Sequence, residues 1–246
     1  MTGLARRVLA EFLGTALLLI AVVGSGIAAQ RLSPGDVGLQ LLENSTATAA
    51  ALVAIILALG PVSGAHLNPV VTLADRVFGG LRSGEAAAYI AAQVLGGAAG
   101  TIVANAMFSL PAVTFSATER SSPGLWLGEV VATFGLLLVV FGLVRSGRAA
   151  AAPFAVGAYI GAAYWFTSST SFANPAATLA RTLTDSFAGI APASTGGFLT
   201  AQLIGAALAV PAIAVLYPRI SERAADVVLP HGTDSRPKEP GYADLT

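Results

Sequence analysis

Two Asn-Pro pairs stand out in a chain otherwise short of polar residues. Asn68 and Pro69 sit inside "SGAHLNPVVTLAD", and Asn174 and Pro175 inside "TSFANPAATLAR". Asparagine offers a carbonyl acceptor and two N–H donors. Proline at the first position of a helix gives up no donor that the helix needs. Each pair therefore reads as a capped helix start, with the asparagine oxygen on the first turn and the amide N–H groups free for something else. Such groups hold an uncharged solute by hydrogen bonds; they do not break bonds. Two acids, Glu11 and Glu129, lie inside apolar runs, where a carboxylate is costly and has a task. The histidines, His66 and His231, are too far apart in sequence to suggest a metal centre, and the chain has no cysteine. Disulfides and thiolate metal sites are excluded, and neither metal nor cofactor is expected. No nucleophile, base and orienting group cluster in the sequence, so an enzyme is not expected.

The elements that carry these residues are membrane spans. Of 246 residues 55% are hydrophobic and 11% charged, against about 25% charged in a soluble domain. Apolar runs at 8–29, 47–61, 86–107, 125–144, 149–166 and 198–217 approach or exceed the roughly 20 residues that cross a bilayer. They predict six spans. Arg6, Arg7 and the run behind them resemble a secretory signal, but the run is long and carries Glu11, so it reads as a retained first span. An even number of spans puts both termini on one side. Arg6, Arg7, Arg82, Arg145, Arg148, Arg219 and Arg223 fall on that side, and Arg31 and Arg120 opposite. The positive-inside rule makes the terminal side cytoplasmic. Net charge is zero and no basic patch predicts nucleic-acid binding. Residues 221–246 are polar, with Pro230, Pro237 and Pro240, and read as a disordered cytoplasmic tail behind a channel domain at 1–220.

The chain repeats itself. "AEFLGTALLL" from Ala10 matches "GEVVATFGLLL" from Gly128, which sets Glu11 against Glu129. "LNPVVTLAD" matches "ANPAATLAR", and "AAQVLGGAAG" matches "TAQLIGAALA", which sets Gln93 against Gln202. Repeat one covers about 5–110 and repeat two about 122–220, each with three spans. An odd number inverts the second copy, an arrangement that places a solute pathway between the halves near the midplane. Between the second and third span of each half lies a segment too short to cross. It reads as a re-entrant loop followed by a half-helix, tolerated at that depth only where protein or a wet cavity receives its backbone.

The two half-helices then meet N-terminus to N-terminus, and their positive dipole ends repel cations. Asn68, Pro69 and Val70, with Asn174, Pro175 and Ala176, form the expected pore centre. Glu11 and Glu129 read as acceptors for loose N–H groups of the loops rather than as a proton relay, and His66 as part of the loop structure with a minor gating role. Asp75 holds the place in the first half-helix that Arg181 holds in the second. It either serves the inner mouth or pairs with Arg76 or Arg82.

With both signature loops in inverted halves, the sequence resembles the aquaporin and aquaglyceroporin family over nearly all of residues 5–220. The resemblance implies an all-α membrane fold of six transmembrane helices plus two re-entrant half-helices. It also implies a homotetramer in the cell (inner) membrane with one pore per subunit, a passive channel for small neutral solutes. The first motif departs from the family by Val70 in place of alanine. Carried over by spacing, the family's four-residue filter falls on Thr48, on Gly161 or Ala162, on Ser171 and on Ala177. All are small, and Ala177 replaces the arginine that the family places directly after the second Asn-Pro-Ala. Arg181 lies four residues further on, about 6 Å along a helix. Spacing leaves two placements open: a charge moved into the outer vestibule, or an arginine reaching the membrane interface. A wide filter favours glycerol-like polyols and metalloid hydroxides alongside water. "NPAATLARTLTDSFAGI" with "YWFTSSTSFANPA" also looks like bacterial aquaglyceroporin-like channels encoded with arsenic-resistance genes, which implies arsenite. The alternatives are a strict water channel or, less favoured, a secondary transporter, which shares inverted repeats and broken helices.

Overall fold

A computed structural model describes residues 3–218. The expected disordered tail, 221–246, lies outside the described residues. Among these residues the chain is helical, with no strand. In order the helices are α1 (Gly3–Leu32), α2 (Val37–Ser63), α3 (Pro69–Phe78), α4 (Ser83–Met107), α5 (Pro123–Arg145), α6 (Ala152–Phe166), α7 (Pro175–Ala180) and α8 (Thr195–Leu216). Short 3-10 turns lead into α6 and α8, and a third, Arg181–Leu183, follows α7. Six of these segments are long and apolar enough to cross a membrane; α3 and α7 are the half-helices.

The second span begins ten residues before the apolar run at 47–61. Asp36 caps it by accepting from the Leu39 N–H at 2.9 Å. The polar residues of its first turns find partners inside the bundle. Gln40 Nε2 donates to the Ser33 carbonyl and Asn44 Nδ2 to that of Val22, each at 2.8 Å. Hydropathy alone misses such a start because a buried polar side chain with a partner costs little.

The repeat is visible in the packing. α1 lies against α4 and α5 against α8, as inverted copies, while α2 and α6 join the halves. Close crossing depends on glycine: a Cβ on Gly96 or Gly100 would overlap the carbonyls of Phe12 and Ala16 on α1. Gly205 of α8 meets the Val130 carbonyl of α5 in the related place. Small residues allow such backbone approach between spans.

Candidate functional site

Each half-helix starts as its sequence dictates. Asn68 and Asn174 sit in extended backbone as N-caps, followed by proline in the first turn. Asn68 Oδ1 accepts from the Val70 N–H at 3.0 Å, and Asn174 Oδ1 from those of Ala176 and Ala177 at 3.0 and 3.2 Å. The amide nitrogens tie the two halves together. Asn68 Nδ2 donates to the Ala173 carbonyl and Asn174 Nδ2 to that of Leu67, both at 2.8 Å. Each Nδ2 carries a second hydrogen, and both asparagines line the central cavity.

The re-entrant loops need unusual backbone. Ala65 and Leu67 have φ of 45° and 51°; Ser171 and Ala173, in the same places before the second asparagine, have 50° and 48°. Left-handed backbone costs a residue with a Cβ about 1–2 kcal/mol. The glutamates hold it in place. Glu11 accepts from the N–H groups of His66 and Leu67 at 3.0 and 2.7 Å, and Glu129 from those of Phe172 and Ala173 at 2.8 Å each. Gln93 and Gln202 donate to these carboxylates and also to Thr72 and Thr178, whose hydroxyls donate back to the capping asparagines' carbonyls. Both glutamates are fully buried behind the loops, off the lumen wall.

The lumen is a cavity of about 70 Å³ walled largely by apolar side chains. Of the residues expected at the pore centre, Asn68 and Asn174 line it. Pro69, Val70, Pro175 and Ala176 stand behind them in the first helical turns, with Val70 and Ala176 fully buried. Of the expected filter, Thr48, Ser171 and Ala177 line the cavity, and so does His66.

Span five differs from expectation. Gly161 and Ala162 lie away from the lumen, along an outer groove between α2 and α6, with Gly161 packed on Ala49. Val156, Ile160 and Tyr164, spaced by four residues, form the luminal stripe instead. Tyr164 Oη and Thr48 Oγ1 are 3.3 Å apart, joining the neighbouring helices α6 and α2 on the cavity wall. Spacing counted back from Asn174 came within one turn of the luminal Tyr164 but did not give the rotation of the helix.

Arg181 lies inside the bundle on the cavity wall rather than on its outer surface. It is 3% exposed and lines the same cavity as Ala177. Its backbone N–H reaches the Ala177 carbonyl, so the one-turn relation holds although α7 ends at Ala180. Nε donates to the Ala188 carbonyl, and the guanidinium carbon stands 3.4 Å from the Phe172 ring centroid. Arg120 approaches the same ring at 5.3 Å and donates to the Gly189 and Phe187 carbonyls. Asp75 pairs with neither Arg76 nor Arg82. Arg76 donates to Ser83 and Arg82 engages Glu85, while Asp75 faces His66. Phe172, Tyr164 and Asp75 are the site residues that sequence reasoning missed or misassigned. Repeat symmetry marks Phe172 as the counterpart of His66, but nothing in the sequence turns Tyr164 inward. Among the described residues no group of three or more acids and histidines is disposed to hold a metal.

Comparison with known proteins agrees with this architecture. The family model described as Major intrinsic protein matches residues 2–171. The chain is 50% identical over 206 residues to the aquaglyceroporin AqpS of Rhizobium meliloti (strain 1021), covering 84% of this chain and 88% of that protein. It is 31% identical over 214 residues to a probable aquaporin AqpM of Archaeoglobus fulgidus, covering 76% and 86%. The X-ray structure of the aquaglyceroporin from Plasmodium falciparum superimposes with a TM-score of 0.69 at 22% identity, over 89% of this chain and 99% of that one, a likeness of fold. Inverted halves, paired Asn-Pro caps and these relatives lead to one assignment: the chain belongs to the major intrinsic protein family.

Proposed function

We propose that the chain conducts glycerol-like polyols and metalloid hydroxides such as arsenite, together with water, down their gradients. It is a passive membrane channel and not an enzyme, as its family is. The observation that carries the solute class is the meeting of two positive helix ends at Asn68 and Asn174 on a cavity wall with no carboxylate. Cations are repelled there, and a neutral solute with lone pairs is held by donors. The name of the Rhizobium relative supports glycerol-sized solutes. We assign the outer constriction to Thr48, Tyr164, Ser171, Ala177 and Arg181, and the channel domain to residues 1–220. An inner-membrane location with cytoplasmic termini fits the arginine distribution. A homotetramer fits the exposed apolar residues Phe154 and Trp165 beside the α2–α6 groove.

A strict water channel is the second reading, favoured by the bulk that Tyr164 brings to the cavity wall beside Thr48. Stopped-flow light scattering of proteoliposomes with water, glycerol and arsenite separates the two. Glycerol and arsenite flux above that of empty liposomes supports the wider channel. Water flux alone supports the second reading, and no flux above empty liposomes removes both.

A further inference from the structure

The two repeats part after their half-helices. α3 runs to Phe78 and α4 begins at Ser83, whereas α7 ends at Ala180 and α8 begins only at Thr195. The longer stretch presents the carbonyls of Phe187, Ala188 and Gly189 in succession, and a guanidinium takes each of them. Arg181 Nε donates to the middle one, that of Ala188. Arg120, in the segment 108–122 that joins the two halves, takes its neighbours: Nε donates to Gly189 at 2.9 Å and Nη2 to Phe187 at 3.3 Å. Among the described residues neither arginine forms an ion pair. The joining segment is itself tied down. Thr114 and Ser116 donate their N–H groups to the carbonyls of Leu183 and Thr182 at 3.1 and 3.0 Å, and the Arg120 N–H reaches Ser194 Oγ at 2.9 Å. Helix α1 also closes on the same stretch. The Phe187 N–H reaches Gln30 Oε1 at 3.2 Å, and a Cβ on Gly26 would come within 3.0 Å of the Ala188 methyl. Ala188 is fully buried.

We propose that Arg120 is a positioning residue of the outer constriction: by holding the carbonyls on either side of Ala188 it aims the Ala188 carbonyl at Arg181 and keeps that guanidinium on the cavity wall. The proposal rests on the assignment of Arg181 to the constriction above. Peptide groups are planar and successive ones hinge at a shared Cα, so fixing the two flanking groups leaves the middle one little freedom. The planar fork of arginine suits two acceptors at once; the ammonium of lysine is a point charge that does not. Without Arg120 the flanking carbonyls turn toward water, and the Ala188 carbonyl turns with them. Arg181 is then left with the Phe172 ring, from whose centroid its guanidinium carbon stands 3.4 Å. A buried cation with one anchor fewer moves toward water, which draws its charge outward from the constriction. Loss of Arg120 therefore acts in the same direction as loss of Arg181. Arg120 also carries a charge of its own, 5.3 Å from that ring. Its direct field and its positioning role differ in one respect: only the second needs Arg181 to be present.

Two measurements test the proposal. The first is a double-mutant cycle in proteoliposomes: native protein, Arg120→Ala, Arg181→Ala and the double variant, with Arg120→Lys beside them. The glycerol-to-water flux ratio is read by light scattering, and monovalent cation leak per unit of water flux with a fluorescent dye. Such ratios do not depend on how much of each protein folds. Arg181→Ala and Arg120→Ala are both expected to raise the two ratios severalfold. The double variant should match Arg181→Ala within about twofold, because residues that act as one unit are not additive. Arg120→Lys, with its charge kept, should behave as Arg120→Ala does. Native values in Arg120→Ala or Arg120→Lys, or effects that multiply in the double variant, overturn the proposal and leave the constriction standing. Native values in Arg181→Ala fail the constriction reading instead. The second measurement needs no flux. The Arg181 Nε–H, identified in nitrogen NMR by its loss in Arg181→Ala, is expected to exchange slowly with water in the native protein. In Arg120→Ala and Arg120→Lys it should exchange severalfold faster. Equal protection in all three overturns the positioning role whatever the flux.

Discussion

The Arg181 guanidinium carbon stands 3.4 Å from the centroid of the Phe172 ring, on a residue one turn beyond the alanine at 177. The charge thus reaches the cavity wall although the residue directly after the second Asn-Pro-Ala is an alanine. Phe172 is held from behind by its own backbone N–H on Glu129 and from the side by Phe198, with ring centroids 5.0 Å apart. A fixed ring gives the cation a fixed place, and the Ala188 carbonyl supplies the second anchor. The related slot in the other half holds His66 and Asp75, with Nε2 and Oδ2 3.9 Å apart.

Removing that charge tests its task. Arg181→Ala is expected to admit small monovalent cations, raising their leak by about tenfold, because a fixed charge in a low-dielectric passage shifts local ion concentration by at least that factor. Glycerol flux should rise as the passage widens. Cation leak read with a fluorescent dye inside liposomes, alongside light scattering, checks both. A cation leak equal to the native value would sink the role of Arg181 as a guard.

The rotation of α6 is tested by a pair of variants. Tyr164→Ala opens the passage beside Thr48 and should raise glycerol flux more than water flux. Ala162→Phe, on the outer groove, should leave flux per protein unchanged. The opposite pattern would return span five to the register expected from spacing alone.

Much of this was legible in the sequence, for identifiable reasons. Spans, inversion and half-helices follow from apolar length and from a repeat that sets Glu11 on Glu129 and Asn68 on Asn174. Buried carboxylates and Asn-Pro caps have few alternative uses in an apolar chain, so residue type carries the reading. The span-five position was not legible. An apolar helix has no polar face to mark its inner side, and Gly161, Ala162 and Tyr164 lie within one turn of each other, distinguished mainly by the direction they face. The early start of α2 was hidden because Gln40 and Asn44 count as polar until their partners on neighbouring segments are known. For Asp75 the sequence left open the inner mouth or a pair with Arg76 or Arg82; both arginines find partners elsewhere and the acid faces His66.

Glu129 supports the second loop, and its loss has a stated cost. Glu129→Ala leaves the N–H groups of Phe172 and Ala173 without acceptors and frees Gln202, at about 1–3 kcal/mol for each buried unsatisfied group. A large drop in thermal unfolding temperature in detergent is expected, with flux lost. Glu129→Gln keeps one acceptor oxygen and should fall between the two. Equal stability of all three proteins contradicts the bonding described.

Ala177 is the point where a restored arginine should matter most. Its N–H is bound by Asn174 and its methyl lies on the cavity wall, so Ala177→Arg places a second guanidinium one turn below Arg181. Two cations that close repel, and the added bulk fills the passage. Glycerol and arsenite flux should fall more than water flux, with little change in folding because the backbone bonds of α7 remain. Unchanged flux of all three solutes would move the constriction away from Ala177.

Asn174→Asp separates capping from charge at the centre. Aspartate caps a helix as well as asparagine does, so the bonds from Ala176 and Ala177 to its oxygen remain. What is lost is the donor to the Leu67 carbonyl, which now meets a carboxylate oxygen across the same 2.8 Å gap. That exchange destabilises by about 1–3 kcal/mol and loosens the tie between the halves. The new negative charge sits where two positive helix ends meet and cancels the field that repels cations. A lower unfolding temperature, reduced glycerol flux and the appearance of a proton or monovalent cation leak are therefore expected together. Asn174→Ala serves as control, since it loses cap and tie without adding charge and should weaken the fold with a smaller leak. The leak is read with a pH-sensitive dye inside liposomes under an imposed potential. If Asn174→Asp stays as tight to cations as the native channel, the opposed helix ends are not the barrier, and exclusion must lie with Arg181 at the outer mouth.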